Sequence, residues 1–241
     1  MNKLIQEKDC KKETCVVVMS GGQDSTTCLG IAVELFKRVA VVTFTYGQKH
    51  GVEVFCANEI VKEVEEKFNT SIEQHVINVD ALRQIGNSAL IAGDEQDDVT
   101  KEHAQKEGLP ASYVPNRNAT FLTLAHALAQ KLEAGYIMTG VCQTDYSGYP
   151  DCRREFIEAL ETALNLGSES DIKITTPLMN VDKAYTFKLA EEYDVLDIVL
   201  QKSHTCYEGD HNTENEWGFG CGKCPSCELR AKGWAEFLER Y

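Results

Sequence analysis

Val16-Val17-Val18-Met19-Ser20-Gly21-Gly22-Gln23-Asp24-Ser25-Thr26-Thr27-Cys28 is the stretch on which the reading of this chain turns. An apolar, β-branched run gives way to two glycines and a series of hydroxyl residues, and an amphipathic pattern follows. That order predicts a buried strand, a tight turn and a helix N-terminus. The turn offers free backbone N–H groups at the positive end of a helix dipole, a ready site for phosphate or pyrophosphate. Gly21 and Gly22 allow positive φ and a close approach of backbone to an anion. Ser20, Ser25, Thr26 and Thr27 add hydroxyl donors, and Asp24 is placed to hold Mg²⁺ or to orient the loop. A plain glycine turn with a helix cap is the competing account of the same residues.

No Gly-Lys-Ser/Thr follows, so this is not a Walker A loop, and it is not a G-x-G-x-x-G fingerprint. The pattern S-G-G-x-D-S resembles the PP-loop of ATP pyrophosphatases, which use ATP to activate a carboxylate or carbonyl oxygen. The resemblance implies that Ser20, Gly21, Gly22, Gln23, Asp24, Ser25 and Thr26 bind ATP, with Asp24 and Ser25 taking part in catalysis.

Composition sets the outer limits. A chain of 241 residues with 43% hydrophobic and 26% charged residues suits one large soluble α/β unit with an appendage. No apolar run reaches membrane-spanning length, and the first residues carry no signal-peptide h-region, so a cytoplasmic protein with no membrane partner is expected. The net charge of −14 argues against a broad phosphate-binding face for tRNA or DNA. A nucleotide site must then be local, built from backbone amides, Mg²⁺ and a few cations. Arg117 and Arg153, each inside a loop rich in functional side chains, are the candidate anion ligands.

Along the chain, strands are expected over 15–19, 39–46, 75–79, 136–141 and 172–177, alternating with helices over about 26–38, up to 68, 120–134, 154–166 and 183–193. This alternation predicts a doubly wound α/β fold with a parallel sheet of about five strands. Residues 93–109 are acidic and aperiodic, and are expected to form a lid-like loop or a solvated linker. The loop 142–153 follows a strand, where ligands of open parallel sheets bind. It supplies Gln143, Asp145, Tyr146, Tyr149, Asp151 and Arg153.

The C-terminal part is a separate element. Cys206 precedes Cys221-Gly222-Lys223-Cys224-Pro225-Ser226-Cys227, and three thiolates at C-x-x-C-x-x-C spacing plus one upstream can close a tetrahedral Cys₄ site. A structural Zn²⁺ is the expected metal; an iron–sulfur cluster is the alternative, although the fourth cysteine of the ferredoxin run is missing. Residues 207–220 show no helix or strand pattern, and a metal is expected to fold them. The division expected is residues 1–200 for the nucleotide-binding unit and 201–241 for a zinc-binding element packed on it.

Six blocks together carry a closer resemblance: Ser20–Thr27, Tyr46-Gly47-Gln48-Lys49-His50, Pro115-Asn116-Arg117-Asn118, Ser147-Gly148-Tyr149-Pro150-Asp151-Cys152-Arg153, Thr176-Pro177-Leu178, and Thr205-Cys206-Tyr207 with the C-terminal cysteines. In these the chain resembles the 7-cyano-7-deazaguanine synthase family of queuosine biosynthesis. The family's reaction converts 7-carboxy-7-deazaguanine, ammonia and ATP into 7-cyano-7-deazaguanine (preQ0) by way of an amide. The resemblance implies substrate contacts at Tyr46, Gln48, His50, Asn118, Gln143, Asp145, Tyr146, Tyr149 and Asp151, catalytic roles for Arg117 and Arg153, and a homodimer. Lys49, Asn116, Gln143 and Tyr185 depart from the family pattern, standing where Arg, Gly, Glu and an acidic or amide residue are commoner. Three rivals are weighed against this: a tRNA-modifying PP-loop enzyme, a paralogue that joins the activated deazaguanine to a protein amine, and a zinc-knot binding module with a degenerate nucleotide fold.

Overall fold

Cys15, Val16 and Val17 of β1 (Thr14–Val18) are all fully buried, as a strand covered on both faces requires. Side chains alternate across a strand, so Cys15 and Val17 enter one core while Val16 enters another. The computed structural model describes residues 13–49, 51–85, 88–93, 98–103, 106–143 and 148–241. After β1 come α1 (Gln23–Leu35), β2 (Arg38–Thr45), α2 (Val52–Phe68) and β3 (Ile72–Asn78). A short helix α3 (Ala81–Ile85) and an antiparallel pair, β4 (Glu102–His103) and β5 (Lys106–Pro110), lead to α4 (Arg117–Lys131). The strand β6 (Tyr136–Met138) then pairs with β1 on the side away from β2, and α5 (Arg154–Ser168) connects it to β7 (Lys173–Thr175).

The result is a five-stranded parallel sheet in the order β3-β2-β1-β6-β7, which is the doubly wound architecture expected. Strand order reverses between β1 and β6, so a crevice opens beyond their carboxyl ends. One core, with Leu29, Ile60, Phe187 and Val195, lies against α1, α2, α6 (Lys183–Glu192) and α7 (Leu196–Lys202). The other, with Val42, Leu122, Ile137 and Ile157, lies under α4 and α5. The final helix α8 (Pro225–Arg240) joins the first core through Phe237, and Phe187 packs edge-on against Trp234 at 5.1 Å between ring centroids.

Four expectations are corrected. The first helix begins at Gln23 rather than at 26, because the Ser25 and Thr26 hydroxyls donate to the Gly22 carbonyl (3.0 and 2.8 Å) and close the first turn early. The described part of 93–109 is not a structureless loop: β4 and β5 pair there. Residues 207–220 contain a small hairpin, β8 (Glu214–Asn215) and β9 (Gly218–Phe219), too short to leave a periodic signal. The strand expected over 136–141 ends at Met138, because at Gly140 the chain crosses the start of α1 with no room for a side chain; a Cβ there would lie 2.9 Å from that of Asp24. No helix among the described residues is long and apolar enough to cross a membrane.

Phe187 is fully buried where α6 meets α8, so Phe187→Ala removes packing from both. A loss of about 3–5 kcal/mol in a urea melt is expected. A loss below about 1 kcal/mol would mean that α8 does not unfold with the sheet.

Candidate active site and metal centre

The loop leaving β1 is held from three sides. Gly21 has φ +82°, and a Cβ there would lie 2.4 Å from the Glu53 carbonyl oxygen of α2. The Gly21 carbonyl accepts the His204 N–H at 2.8 Å, and Gly140 presses on Asp24 from the loop after β6. Within the loop, the Ser20 and Ser25 hydroxyls are 3.1 Å apart, and Ser20 Oγ accepts the Gly22 N–H at 3.3 Å. Asp24 is held by Lys183 Nζ, which donates to its two carboxylate oxygens at 2.9 and 2.7 Å.

A cavity of about 920 Å³ opens from this loop. Ser20, Asp24, Ser25 and Lys183 stand at its phosphate-loop end. Tyr46, Glu53, Arg117, Asn118, Phe121 and Tyr149 form another part of its wall, and Tyr207 and Lys232 of the C-terminal element contribute too. Arg117 Nη1 donates to Tyr46 Oη at 3.4 Å, and its guanidinium lies 5.9 Å from the Tyr46 ring centroid. Burial disfavours the Arg117 charge, but Tyr46, Tyr149, Asp151 and Glu53 around it outweigh that and push its pKa up, so it stays a cation. Burial raises the Tyr46 phenol to about 12, against a smaller pull from Arg117, and leaves it a neutral donor. Burial also raises the Glu53 carboxyl, again opposed by Arg117. Phe121 stacks on Phe44 at 4.3 Å and tilts against Tyr46 at 5.6 Å, which makes one side of the cavity aromatic.

The residues singled out in the sequence divide into three groups. Ser20, Asp24, Ser25, Tyr46, Arg117, Asn118 and Tyr149 come together on the cavity wall. Several others are turned elsewhere. Thr26 is fully buried with its hydroxyl on the helix carbonyl already described, and Gln23 is buried with neither amide atom bonded. Gln48 Oε1 accepts the Tyr46 N–H at 2.9 Å, shaping the turn after β2. Asp151 is 3% exposed; its Oδ2 accepts the Asn118 N–H at the start of α4, capping that helix, while its Oδ1 is buried without a hydrogen-bond partner. Gln143 is exposed, donates to Asn180 Oδ1 at 2.8 Å and accepts from the Arg154 N–H; Arg153 is exposed at the start of α5. His50, Asp145 and Tyr146 lie outside the described residues. Asn116 has φ +56°, a conformation that Gly or Asn adopts readily, which accounts for one departure from the family pattern. Lys183 and Glu53 are not among the candidates read from the sequence, and Tyr207 enters there only as part of the Thr205-Cys206-Tyr207 block. Lys183 carried one faint signal, a cation in the first turn of a helix, where the dipole disfavours it.

Behind the cavity, the sulfurs of Cys206, Cys221, Cys224 and Cys227 all lie within 4.8 Å of one another. The hydrogen bond from the Cys227 thiol holds Cys224 below the usual thiol range. Four converging soft donors fit a tetrahedral metal ion with no open position. The peptide around the first of them also shapes the cavity: His204 holds Gly21, and Tyr207 stands on the wall, its phenol raised far up by burial beside Tyr149. Arg230, fully buried, donates to Val199 O at 2.9 Å and Thr205 Oγ1 at 2.8 Å, tying α8 to α7.

Comparison with known proteins bears on the same residues. The family model described as "Queuosine biosynthesis protein QueC" matches residues 14–238. A 7-cyano-7-deazaguanine synthase of Wolinella succinogenes is 50% identical over 222 residues, 92% of each chain. One of Helicobacter pylori strain P12 is 47% identical, covering 94% of this chain and 96% of its own. Among solved structures, a 4-thiouridine synthetase–RNA complex with bound ATP superposes with a TM-score of 0.47 at 19% identity, over 94% of this chain and 52% of that one.

Cys224→Ser removes one of the four donors. The metal-to-chain ratio, read by plasma mass spectrometry, is expected to fall from about one to well below half. An unchanged ratio would show that the thiol cluster is not the metal centre.

Proposed function

The chain belongs to the QueC family of queuosine biosynthesis proteins, and from that premise we propose that it converts 7-carboxy-7-deazaguanine and ammonia into 7-cyano-7-deazaguanine (preQ0) at the expense of ATP. The single observation that carries the reading is the identity of 50% to a 7-cyano-7-deazaguanine synthase over 92% of both chains. The cavity supports it, since one end is a PP-loop and the other an aromatic wall beside Arg117.

The chemistry needs two activations. A carboxylate is a poor electrophile because its oxygen is a poor leaving group. Its attack on the γ- or α-phosphorus of ATP, with release of ADP or of pyrophosphate respectively, makes that oxygen the bridge of a carboxylic–phosphoric mixed anhydride. Ammonia adds to the acyl carbon, the phosphate departs with the oxygen, and a proton is lost to leave the amide. A second activation on the amide oxygen, followed by loss of that oxygen and the remaining N–H protons, gives the nitrile. Loop amides around Gly21 and Gly22, the Ser20 and Ser25 hydroxyls and Lys183 offset charge growing on the phosphates, which enter as the Mg²⁺ complex with Asp24 beside them. Arg117 is assigned to the substrate carboxylate and Tyr46, Asn118 and Tyr149 to the deazapurine. Arg153, Gln143 and Asp151 support the loop that carries Tyr149.

Residues 201–241 are assigned one structural Zn²⁺ per chain, held by Cys206, Cys221, Cys224 and Cys227 and serving only to fold that element against residues 1–200. A cytoplasmic homodimer acting on small molecules, without nucleic acid, completes the proposal; the net charge of −14 supports the last point.

The test is mass spectrometry of a reaction containing 7-carboxy-7-deazaguanine, ATP, Mg²⁺ and ammonium. The expected product has lost two oxygens and one hydrogen and gained one nitrogen, and the nucleotide product, AMP or ADP, identifies the activation. Accumulation of the amide alone, or transfer to a protein amine, would overturn the assignment. Lys183→Met leaves Asp24 without its cation and is expected to weaken ATP binding about tenfold or more in calorimetry; unchanged affinity would remove Lys183 from the nucleotide site.

A further inference from the structure

Four acidic side chains stand on the cavity wall: Asp24, Glu53, Glu102 and Glu228. Asp24 is engaged by Lys183, and Glu102 and Glu228 are exposed. Glu53 differs from all three. It projects from the first turn of α2, half-buried, and no described residue hydrogen-bonds its carboxylate. The charge that acts on it is Arg117, with the Tyr46 phenol close by. A half-buried carboxylate on a cavity wall that no neighbour hydrogen-bonds has both oxygens open to donors from a ligand.

We propose that Glu53 is the residue that selects a guanine-type ring, its two oxygens accepting the adjacent ring N1–H and exocyclic 2-amino N–H. This rests on the function proposed above and deepens it. The ring's donor and acceptor groups are arranged to match. N1–H and the 2-amino group form one edge with parallel donors, the pattern a carboxylate accepts in bidentate fashion. The 6-oxo oxygen is next to that edge and the 7-carboxylate is next to the oxo group, so the acceptors fall beside the donors just as Arg117 stands beside Glu53. Phe121, half-buried on the cavity wall with the buried Tyr46 ring tilted against it, provides an apolar surface for the bicycle. In a site shielded from water such charge-assisted bonds discriminate strongly, because an analogue lacking the donor leaves the carboxylate unmatched.

The experiment compares 7-carboxy-7-deazaguanine with its analogue lacking the 2-amino group, by calorimetric binding and by turnover, on the intact zinc-loaded protein. Wild type is expected to prefer the 2-amino compound by at least about 100-fold. Glu53→Gln, which presents an amide N–H to one of the ring donors, is expected to reduce that preference to within about tenfold, mostly by loss of affinity for the 2-amino compound. Glu53→Asp, which keeps the charge and shortens the reach, should fall between. Equal losses for both compounds, or a rise in the Mg²⁺ concentration for half-maximal turnover at unchanged preference, would overturn the proposal and make Glu53 a structural or metal-facing residue. Wild type binding both compounds equally would overturn it as well. If wild type binds with the expected preference yet forms no nitrile, the assigned reaction fails and the role of Glu53 stands.

Discussion

The tight crossing at Gly21 is the constraint on which the rest of the site depends. With φ at +82° and the Glu53 carbonyl where a Cβ would lie, the loop after β1 has one way to pass α2. That passage sets the start of α1, and with it the direction in which the helix dipole and the Ser20 and Ser25 hydroxyls face the cavity. The same contact brings Glu53 to the cavity wall. One backbone approach therefore joins the phosphate end of the cavity to its ring-binding end.

The C-terminal element is part of this arrangement. A structural metal site is usually treated as a staple that holds its own loop. Here the peptide leading into Cys206 also hydrogen-bonds the Gly21 carbonyl through His204, and the residue after it, Tyr207, stands on the cavity wall. The buried Arg230 ties α8 to the same segment through Thr205. Because α8 packs on α6 through Phe187, Trp234 and Phe237, the thiol cluster, the Lys183–Asp24 pair and the phosphate loop share one rigid support.

The electrostatics follow from scarcity. A chain of net charge −14 cannot attract a polyanion over a broad face, yet it must bind a nucleotide and a carboxylate. It places few cations at points where their charge is not screened. Arg117 is enclosed by two tyrosines, Glu53 and Asp151, which keep it charged despite burial, and Lys183 is fixed in position by Asp24. In a recessed cavity, where the effective dielectric is below that of bulk water, each of these counts for more than a surface lysine would.

The architecture was legible in the sequence because local patterns carry it. The alternation of β-branched runs with amphipathic ones specifies the doubly wound sheet, the S-G-G-x-D-S turn specifies the phosphate loop, and the cysteine spacing specifies a cluster of four thiols able to hold a metal. Asp151, Gln143 and Arg153 also looked like ligands, since a loop after a parallel strand is where ligands bind. Only the packed structure shows that Asp151 turns inward to cap α4 and that Gln143 and Arg153 face solvent. Glu53 and Lys183 were hidden for the opposite reason: each sits in an ordinary helix context, and its meaning comes from residues tens to over a hundred positions away, such as Asp24 for Lys183. A sequence records what a residue can do locally. Which side chains share a low-dielectric cavity is settled by how the helices cross the sheet, and that is a property of the whole fold.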